Sequence, residues 1–186
     1  MSGSVQIIKA STSDHLKGIS TLQARNLKQV LSENTALKEG FVTMDYGLPL
    51  LARMNSYEPQ IIAVDNEAVV GYALATVRQL KNEIPLLTPM FDLIERLEYQ
   101  ERKISDYRFY VMGQVCIEKS YRGKGVFKKL YDKHKEVFSK NYDLCITEVS
   151  RRNPRSIRAH EKVGFQTIHR YTDHMDDWLV LVLDLR

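Results

Sequence analysis

Residues 115–127, VCIEKSYRGKGVF, combine an apolar strand pattern, a short basic loop with two glycines, and the start of a helix pattern. A helix start offers backbone N–H groups that lack intrahelical acceptors, together with the positive end of the helix dipole. Gly123 and Gly125 have no Cβ, so an anion can approach the backbone closely. Arg122 and Lys124 add full positive charges. The combination predicts a pyrophosphate-binding loop, and an ordinary basic turn is the alternative.

A second polar segment follows after one predicted helix and one predicted strand. Residues 153–165, NPRSIRAHEKVGF, begin with a helix-capping asparagine and a proline and end with a glycine before an apolar strand. Together the two segments resemble the motifs of the GNAT superfamily of acetyl-CoA-dependent acyltransferases. Residues 115–127 are similar to its motif A, a strand followed by R-x-x-G-x-G/A and a helix. Residues 153–165 are similar to its motif B, N-x-x-A/S-x-x-x-Y-x-K-x-G-F.

The chain departs from these motifs at two positions. Phe127 stands where motif A has a final small residue, which affects close packing near a pyrophosphate. His160 stands where motif B has a tyrosine, so the site keeps a proton donor of a different kind.

The resemblance implies that acetyl-CoA is the acyl donor and that no metal is needed. Its pantetheine arm would pair with the strand that ends at Ile117, as an added strand does, and backbone amides of residues 124–129 would hold the pyrophosphate. The residues assigned to acetyl-CoA in this way are Cys116, Ile117, Glu118, Arg122, Gly123, Lys124, Gly125, Val126, Phe127, Lys128, Lys129 and Asn153.

Acyl transfer from a thioester to an amine needs a base for the amine and a proton for the leaving thiolate. Glu148 lies near the end of the strand before motif B, where some family members use a glutamate as general base. A solvated strand-end carboxylate and an ion-pair partner for Arg151 are the alternatives. Glu118 is a weaker candidate base, and its alternative role is to balance Lys119 or Arg122.

Helical spacing directs His160 inward, where an imidazolium could protonate the leaving thiolate. A hydrogen bond to the CoA sulfur and a satisfied core histidine are the alternatives. Asn153 before Pro154 predicts a helix N-cap, and the resemblance adds a contact with the pantetheine arm.

A polar loop lies between the last two predicted strands. In many family members this loop borders the acceptor pocket; the alternative is a plain polar hairpin loop. Its polar residues, which lack metal-site spacing, are Tyr171, Asp173, His174, Asp176 and Asp177. Cys116 and Cys145 lie in apolar strand patterns without a C-x-x-C motif or an evident histidine partner. They are expected to be buried reduced thiols and not nucleophiles.

Length and composition indicate one globular domain, residues 1–186, because 186 residues with 44% hydrophobic content can bury a sizeable core. No apolar run approaches a membrane span, and no signal peptide is evident, so a cytoplasmic protein is expected. The net charge of +4 is mild, and much of it lies between Lys119 and Lys135. This favours a phosphate-bearing ligand over nucleic acid.

Periodicity predicts a β-α-α-β-β-α-β-α-β-α-β-β order, with residues 65–67 as a turn and 32–46 and 100–106 as loops. The expected strands are 5–9, 60–64, 68–78, 107–117, 144–149, 165–171 and 178–185, and the expected helices are 13–31, 48–57, 88–99, 124–140 and 154–163. The order predicts an α/β fold with a mixed sheet of about six or seven strands. The resemblance adds a central splay in the sheet and helices on both faces.

The predicted function is N-acetyl transfer from acetyl-CoA to a primary amine of a small molecule or peptide, by direct attack in a ternary complex. Acetyl-CoA would lie in the splay between the strand ending at Ile117 and strand 144–149. The alternative is a GNAT-like domain that binds an acyl-CoA as a sensor. Residues 80–106, longer than the family minimum, would form a helical flap over the acceptor or a homodimer contact.

Overall fold

The computed structural model of the chain describes residues 4–27, 42 and 44–186. Most of the predicted loop 32–46, and the last residues of the predicted helix 13–31, lie outside the described residues.

Seven strands form one mixed sheet in the order β1-β2-β3-β6-β7-β9-β8, and two short strands, β4 and β5, pair separately. The strands are β1 Gln6–Lys9, β2 Ile61–Asp65, β3 Ala68–Val77, β4 Glu98–Tyr99, β5 Arg102–Lys103, β6 Phe109–Ile117, β7 Leu144–Ser150, β8 Gln166–Thr172 and β9 Asp177–Asp184. The helices of the described residues are α1 Ser13–Asn26, α2 Gly47–Tyr57, α3 Thr88–Ile94, α4 Val126–Phe138 and α5 Pro154–Lys162. The predicted α/β fold, with its mixed sheet of seven strands flanked by helices, is confirmed for the described residues.

The chain divides into two compact units, each described here by itself. The first comprises Met1–Ala75 with Gln114–Glu136. In it, β2 and β3 form a hairpin whose two loop residues, Asn66 and Glu67, have φ angles of 47° and 68°. Positive φ at both central residues matches the right-handed twist of the strands, which confirms the predicted turn. Helix α1 is capped by the Thr12 side chain, whose hydroxyl oxygen accepts from the His15 amide at 3.1 Å.

The second unit comprises Thr76–Gly113 with Val137–Arg186. The segment between β3 and β6 supplies much of its core, because Phe91, Ile94 and Ile104 are fully buried against strand residues. The predicted helix 88–99 is shorter than expected and ends at Ile94. It is followed by the β4–β5 hairpin, which turns through Gln100 and Glu101 at positive φ.

Strands β6 and β7 run parallel and are registered over three residue pairs, Phe109 with Leu144 through Val111 with Ile146. At the next residue of each strand, a side chain replaces the backbone as donor. The Thr147 hydroxyl of β7 donates to the carbonyl oxygen of Met112 of β6 at 3.0 Å. In the described part of the chain, no helix is long and apolar enough to cross a membrane.

Candidate active site

The loop between β6 and α4 turns through two glycines with positive φ, 75° at Gly123 and 77° at Gly125. Residues with side chains rarely adopt such angles, so both positions favour glycine. A Cβ built at either glycine would meet no atom of the described chain within 4 Å. The loop backbone therefore lies beside open space, as a phosphate cradle requires.

Helix α4 begins directly after this turn. The Lys129 amide donates to the Gly125 carbonyl oxygen at 3.1 Å, which is the first i to i−4 bond of the helix. The amides of Val126, Phe127 and Lys128 precede that bond and point out of the helix start. The Lys129 amide is thus used inside the helix, and the expected binding of a pyrophosphate by residues 124–129 stays a prediction.

The half-buried Arg122 side chain fastens the loop to the strand before it. Its Nε donates to the Ile117 carbonyl oxygen at 2.8 Å, and a terminal nitrogen donates to Asn26 Oδ1 at 2.8 Å. The guanidinium therefore orients the loop while placing a positive charge at its base.

The two lysines at the helix start have different neighbours. Lys124 Nζ lies 5.5 Å from the centroid of the Tyr121 ring, whose hydroxyl donates to Asp65 Oδ2 at 2.7 Å. Lys128 Nζ donates to both carboxylate oxygens of Asp132 at 2.8 Å. Since that pair is exposed and weak, Lys128 can exchange this partner for a phosphate at small cost.

Phe127 does not crowd the glycine turn. Its ring centroid lies 5.0 Å from that of Tyr131, one helical turn further along α4. Long helical side chains at i and i+4 meet in this way, so the phenylalanine packs along its own helix while its amide stays at the helix start.

The backbone at the end of β6 is divided between two edges. The Glu118 amide donates to the Val70 carbonyl oxygen of β3 at 2.8 Å. Successive residues of a strand direct their backbone groups to opposite sides, so Cys116 also faces β3, whereas Val115 and Ile117 face the other edge. The Glu118 amide is thus used within the sheet, and the expected contacts of Cys116, Ile117 and Glu118 with a pantetheine arm stay a prediction.

The Glu118 side chain has a local structural role. Its Oε1 accepts from the Lys119 amide at 2.8 Å, and its Oε2 lies 3.9 Å from an Arg25 nitrogen. Arg25 is thus one partner for the charge of Glu118.

Both cysteines are buried and reduced, as predicted. Burial raises the pKa of the Cys116 thiol to about 12 and that of the Cys145 thiol to about 12. Nucleophilic attack requires the thiolate, so neither cysteine is suited to a covalent step at neutral pH.

Glu148 lies on β7 with its Oε1 atom buried and without a hydrogen-bond partner among the described residues. Burial raises the pKa of this carboxyl to about 7; a hydrogen bond from Tyr171 opposes the rise and the charge of Asp173 adds to it. The base role of Glu148 stays a prediction. The oxygen is not solvated, and Arg151 pairs instead with Asp177, at 2.6 Å. A carboxyl that titrates near neutrality is suited to general base catalysis.

His160 is buried in α5, where its Nδ1 lies 2.8 Å from the Ser156 carbonyl oxygen. Since a carbonyl only accepts, Nδ1 carries the hydrogen and Nε2 is left as an acceptor. The ring meets that of Phe165 edge-on at 5.1 Å. Burial lowers the pKa of His160 to about 4, so the ring is neutral at pH 7 and the predicted imidazolium is disfavoured.

Asn153 is the N-cap of α5, as its position before Pro154 predicted. Its Oδ1 accepts from the Ser156 amide at 3.0 Å. The contact with a pantetheine arm stays a prediction.

The loop between β8 and β9 is tied to the end of β7 by acidic residues. Asp176 is buried and pairs with Arg152 at 3.1 Å, while accepting from the Ser150 hydroxyl at 2.8 Å. Asp173 Oδ1 accepts from the Trp178 ring nitrogen at 3.0 Å and from two loop amides. The loop is therefore more than a solvated hairpin tip, since its carboxylates fix its shape.

A buried polar network in the first unit was not predicted. Gln114 Oε1 accepts from the Tyr72 hydroxyl at 2.6 Å and from Gln23 Nε2 at 3.0 Å. Both glutamine side chains also donate to the Met44 carbonyl oxygen. Gln23 follows Ile19 by one helical turn on the inward face of α1, and this polar residue at a core position was the available signal.

In the part of the chain that the structure covers, no group of three or more histidine, cysteine or acidic side chains is arranged to hold a metal.

Comparisons with known proteins were made by sequence family and by structure. Residues 29–165 match the model of the acetyltransferase (GNAT) family, and no curated protein matches the chain. Three similar solved structures, 12–17% identical in sequence to this chain, share its fold.

The first is the ribosomal-protein-S18-alanine N-acetyltransferase from Escherichia coli, with 12% identity, a TM-score of 0.64, and coverage of 98% of this chain and 94% of that chain. The second is an N-acetyltransferase from Staphylococcus aureus Mu50, with 17% identity, a TM-score of 0.63, and coverage of 99% and 100%. The third is NAA60 from Arabidopsis thaliana in complex with acetyl-CoA, with 14% identity, a TM-score of 0.67, and coverage of 97% and 99%.

Proposed function

Because the chain belongs to the acetyltransferase (GNAT) family, we propose that it transfers the acetyl group of acetyl-CoA to a primary amine of a small molecule or a peptide. The amine attacks the thioester directly, without a covalent enzyme intermediate. The raised pKa of both cysteine thiols supports the direct route, because each carries almost no thiolate at neutral pH.

The β6–α4 loop fits the phosphates of acetyl-CoA, whose thioester supplies the activated acetyl group. The amides of Val126, Phe127 and Lys128 donate to pyrophosphate oxygens at the positive end of α4. Gly123 and Gly125 keep the approach open. The side chains of Arg122, Lys124, Lys128 and Lys129 complete the proposed phosphate contacts, while the Lys129 amide is used inside the helix.

The observation that carries the proposed reaction is the buried Oε1 of Glu148, which has no hydrogen-bond partner among the described residues. Below its pKa of about 7 the carboxyl is neutral, and above it the carboxylate accepts a proton from the nitrogen of the attacking neutral amine. The N–C bond forms, the C–S bond breaks, and one proton moves from nitrogen to Glu148, directly or through water.

The leaving thiolate then takes up a proton. The carboxylic acid form of Glu148 can return the proton that it accepted, because its pKa lies near neutrality. In this scheme His160 acts as a neutral ring that orients the Ser156 turn through Nδ1. The scheme therefore gives His160 no proton to transfer.

A second function, an acyl-CoA-binding sensor without turnover, is favoured by one observation. The histidine at the motif tyrosine position has a pKa of about 4 and donates Nδ1–H to a backbone carbonyl, so it is not set up as a proton donor.

One experiment separates the two functions. The protein is incubated with acetyl-CoA and a panel of small amines and peptides, and free CoA thiol is followed; calorimetry measures CoA binding in parallel. Thiol release that depends on an amine supports the transferase. Binding without turnover on any amine supports the sensor, and absence of CoA binding contradicts both.

A further inference from the structure

A hydrogen bond between Asp65 and Tyr121 connects the β2–β3 hairpin with the β6–α4 loop, and both residues belong to the first unit. The Tyr121 hydroxyl donates to Asp65 Oδ2 at 2.7 Å in a partly buried contact. A hydroxyl bound to a charged oxygen at this distance makes a hydrogen bond about twice as strong as one between neutral groups. Asp65 is the last residue of β2, so the acceptor is carried by the sheet. The residue directly before Arg122 is therefore attached to a neighbouring part of the fold.

The Asp65 carboxylate depends on this contact. Its other oxygen, Oδ1, is buried and has no hydrogen-bond partner among the described residues. A polar atom removed from water without a partner is costly, and the cost is larger for a charged group. Movement of the Tyr121 hydroxyl away from Oδ2 would leave the carboxylate without its described partner. The contact therefore restrains Tyr121 strongly.

Tyr121 is one of two consecutive side chains that hold the loop. Its amide donates to the Glu118 carbonyl oxygen at 2.9 Å, which closes the short turn after β6. Arg122, the next residue, donates to the Ile117 carbonyl oxygen and to Asn26 Oδ1, each at 2.8 Å. The glycine turn thus starts from a segment that is fastened at two points, by Arg122 on one side and by Tyr121 on the other.

The Tyr121 ring also contacts a cation of the loop. Lys124 Nζ lies 5.5 Å from the ring centroid, within the range of a cation–π interaction. The hydrogen bond to Asp65 fixes the hydroxyl end of this ring. The ring therefore limits where the ammonium group can lie beside the turn formed by Gly123 and Gly125.

We infer that Tyr121 and Asp65 are positioning residues for acetyl-CoA, an inference that rests on the β6–α4 loop being its phosphate site. The pair holds the glycine turn and the Lys124 side chain in the binding arrangement before the ligand arrives. Less ordering then accompanies binding, which increases affinity. This role also accounts for an acidic residue beside an anion site, because the charge of Asp65 by itself opposes phosphate binding.

The test is a double-mutant cycle on the Kd for CoA, measured by calorimetry at one salt concentration. Tyr121→Phe keeps the ring but removes the hydroxyl, so the Kd should rise about three- to ten-fold. In an Asp65→Ala background the acceptor is absent, and Tyr121→Phe should change the Kd by less than about two-fold. The charge of Asp65 is missing from both proteins of the second comparison. The difference between the two comparisons therefore measures the hydrogen bond and not the charge.

Tyr107→Phe is the matched control, because the Tyr107 hydroxyl donates to the Tyr99 carbonyl oxygen at 2.9 Å in a partly buried contact of the second unit. It loses a hydrogen bond of similar length, and its Kd for CoA should equal that of the native protein. Asp65→Asn keeps an oxygen acceptor for Tyr121 and removes the charge, so its Kd should be no higher than the native value. The inference is overturned if Tyr121→Phe binds CoA as Tyr107→Phe does. It is also overturned if Tyr121→Phe has the same effect with and without Asp65.

Kinetics add a readout that a merely structural tyrosine would not move. With an amine that is acetylated, Tyr121→Phe should raise the KM for acetyl-CoA about three- to ten-fold and leave kcat within about two-fold of native. A loss confined to kcat would contradict a positioning role toward acetyl-CoA. Binding of CoA by the native protein, with no effect of Tyr121→Phe on Kd, overturns this inference alone. Absence of CoA binding by the native protein overturns the proposed function and, with it, the role of the pair.

Discussion

Replacing Glu148 by glutamine tests the central residue of the proposed mechanism through both stability and activity. Glutamine keeps the shape of the side chain but cannot ionise. A carboxyl that is buried with an unpartnered oxygen is easier to keep in the fold when it is protonated. The native protein should therefore show a pH dependence that the variant lacks.

The magnitude follows from the pKa of Glu148. Burial raises this pKa from its ordinary value of 4.5 to about 7. Because each tenfold change in proton affinity is worth about 1.4 kcal/mol, this rise corresponds to about 3 kcal/mol. Below pH 4.5 the group is protonated in both the folded and the unfolded state and costs nothing. As the pH rises from 4.5 through 7, the unfolded state ionises first, and the folded state loses up to that amount of stability.

The assay is urea unfolding of the native protein and of Glu148→Gln at pH 5 and pH 8. The free energy of unfolding of the native protein should fall between these values by about 2–3 kcal/mol more than that of the variant. Glu98→Gln, at an exposed strand position of the same unit, is the matched control and should follow the native protein. In parallel, kcat/KM of the native enzyme should rise with pH to a plateau above about 7, and Glu148→Gln should lower the plateau by about 10²–10⁴-fold.

Two results would refute this reasoning. Equal pH dependence of unfolding in the native protein and in Glu148→Gln would show that Glu148 ionises at its ordinary pKa. A kinetic limb near pH 7 that persists in the variant would place the base elsewhere, even if the stability difference is found.

Three further predictions concern other parts of the molecule. His160→Asn retains an N–H for the Ser156 carbonyl oxygen and should keep kcat within about three-fold, whereas His160→Ala leaves a cavity and should cost about 2–4 kcal/mol of stability. Gly125→Ala strains a residue at a φ of 77° and places a methyl group in the open space beside the loop, so the Kd for CoA measured by calorimetry should rise about ten-fold or more. Gln114→Leu removes the acceptor of Tyr72 and Gln23 and should lower the free energy of unfolding by about 2–4 kcal/mol.

Each of these predictions has a contrary outcome. A large loss of kcat in His160→Asn with native stability would return the histidine to the chemistry. Unchanged CoA binding in Gly125→Ala, in protein that still folds, would remove the glycine turn from the phosphate site. A Gln114→Leu protein as stable as one changed at exposed Gln166 would show that the network contributes nothing net.

The sequence was informative wherever a local signal decides local structure. Asn153 before Pro154 predicted a capped helix start, and Gly123 and Gly125 predicted a loop that side chains would disfavour. By contrast, the β4–β5 hairpin turns through Gln100 and Glu101 at positive φ. Neither residue is a glycine or an asparagine, so the pattern there favoured a longer helix and a loop.

Partners across the fold could not be predicted in the same way. Arg151 was an apparent partner for Glu148 because the two are close in sequence, yet the antiparallel pairing of β7 with β9 brings Asp177 to it instead. The use of the Glu118 amide by β3 could not be predicted either, because it depends on which edge of β6 faces β3. These contacts depend on how neighbouring strands are paired and in which register, and the sequence of one strand alone does not determine that.

The protonation states of the two predicted catalytic residues have a common cause, and it limits the mechanism. Burial disfavours charge, so it raises the pKa of a carboxyl and lowers that of an imidazole. Burial thereby raises the pKa of Glu148 to about 7 and lowers the pKa of His160 to about 4. Of this pair, only Glu148 changes protonation near neutrality, so proton removal and proton return both fall to it or to solvent. That assignment predicts a pH profile of kcat/KM with an acid limb near 7 and no alkaline limb from His160. A descending limb that disappears in His160→Asn would require an imidazolium that the buried ring, donating to the Ser156 carbonyl oxygen, does not favour.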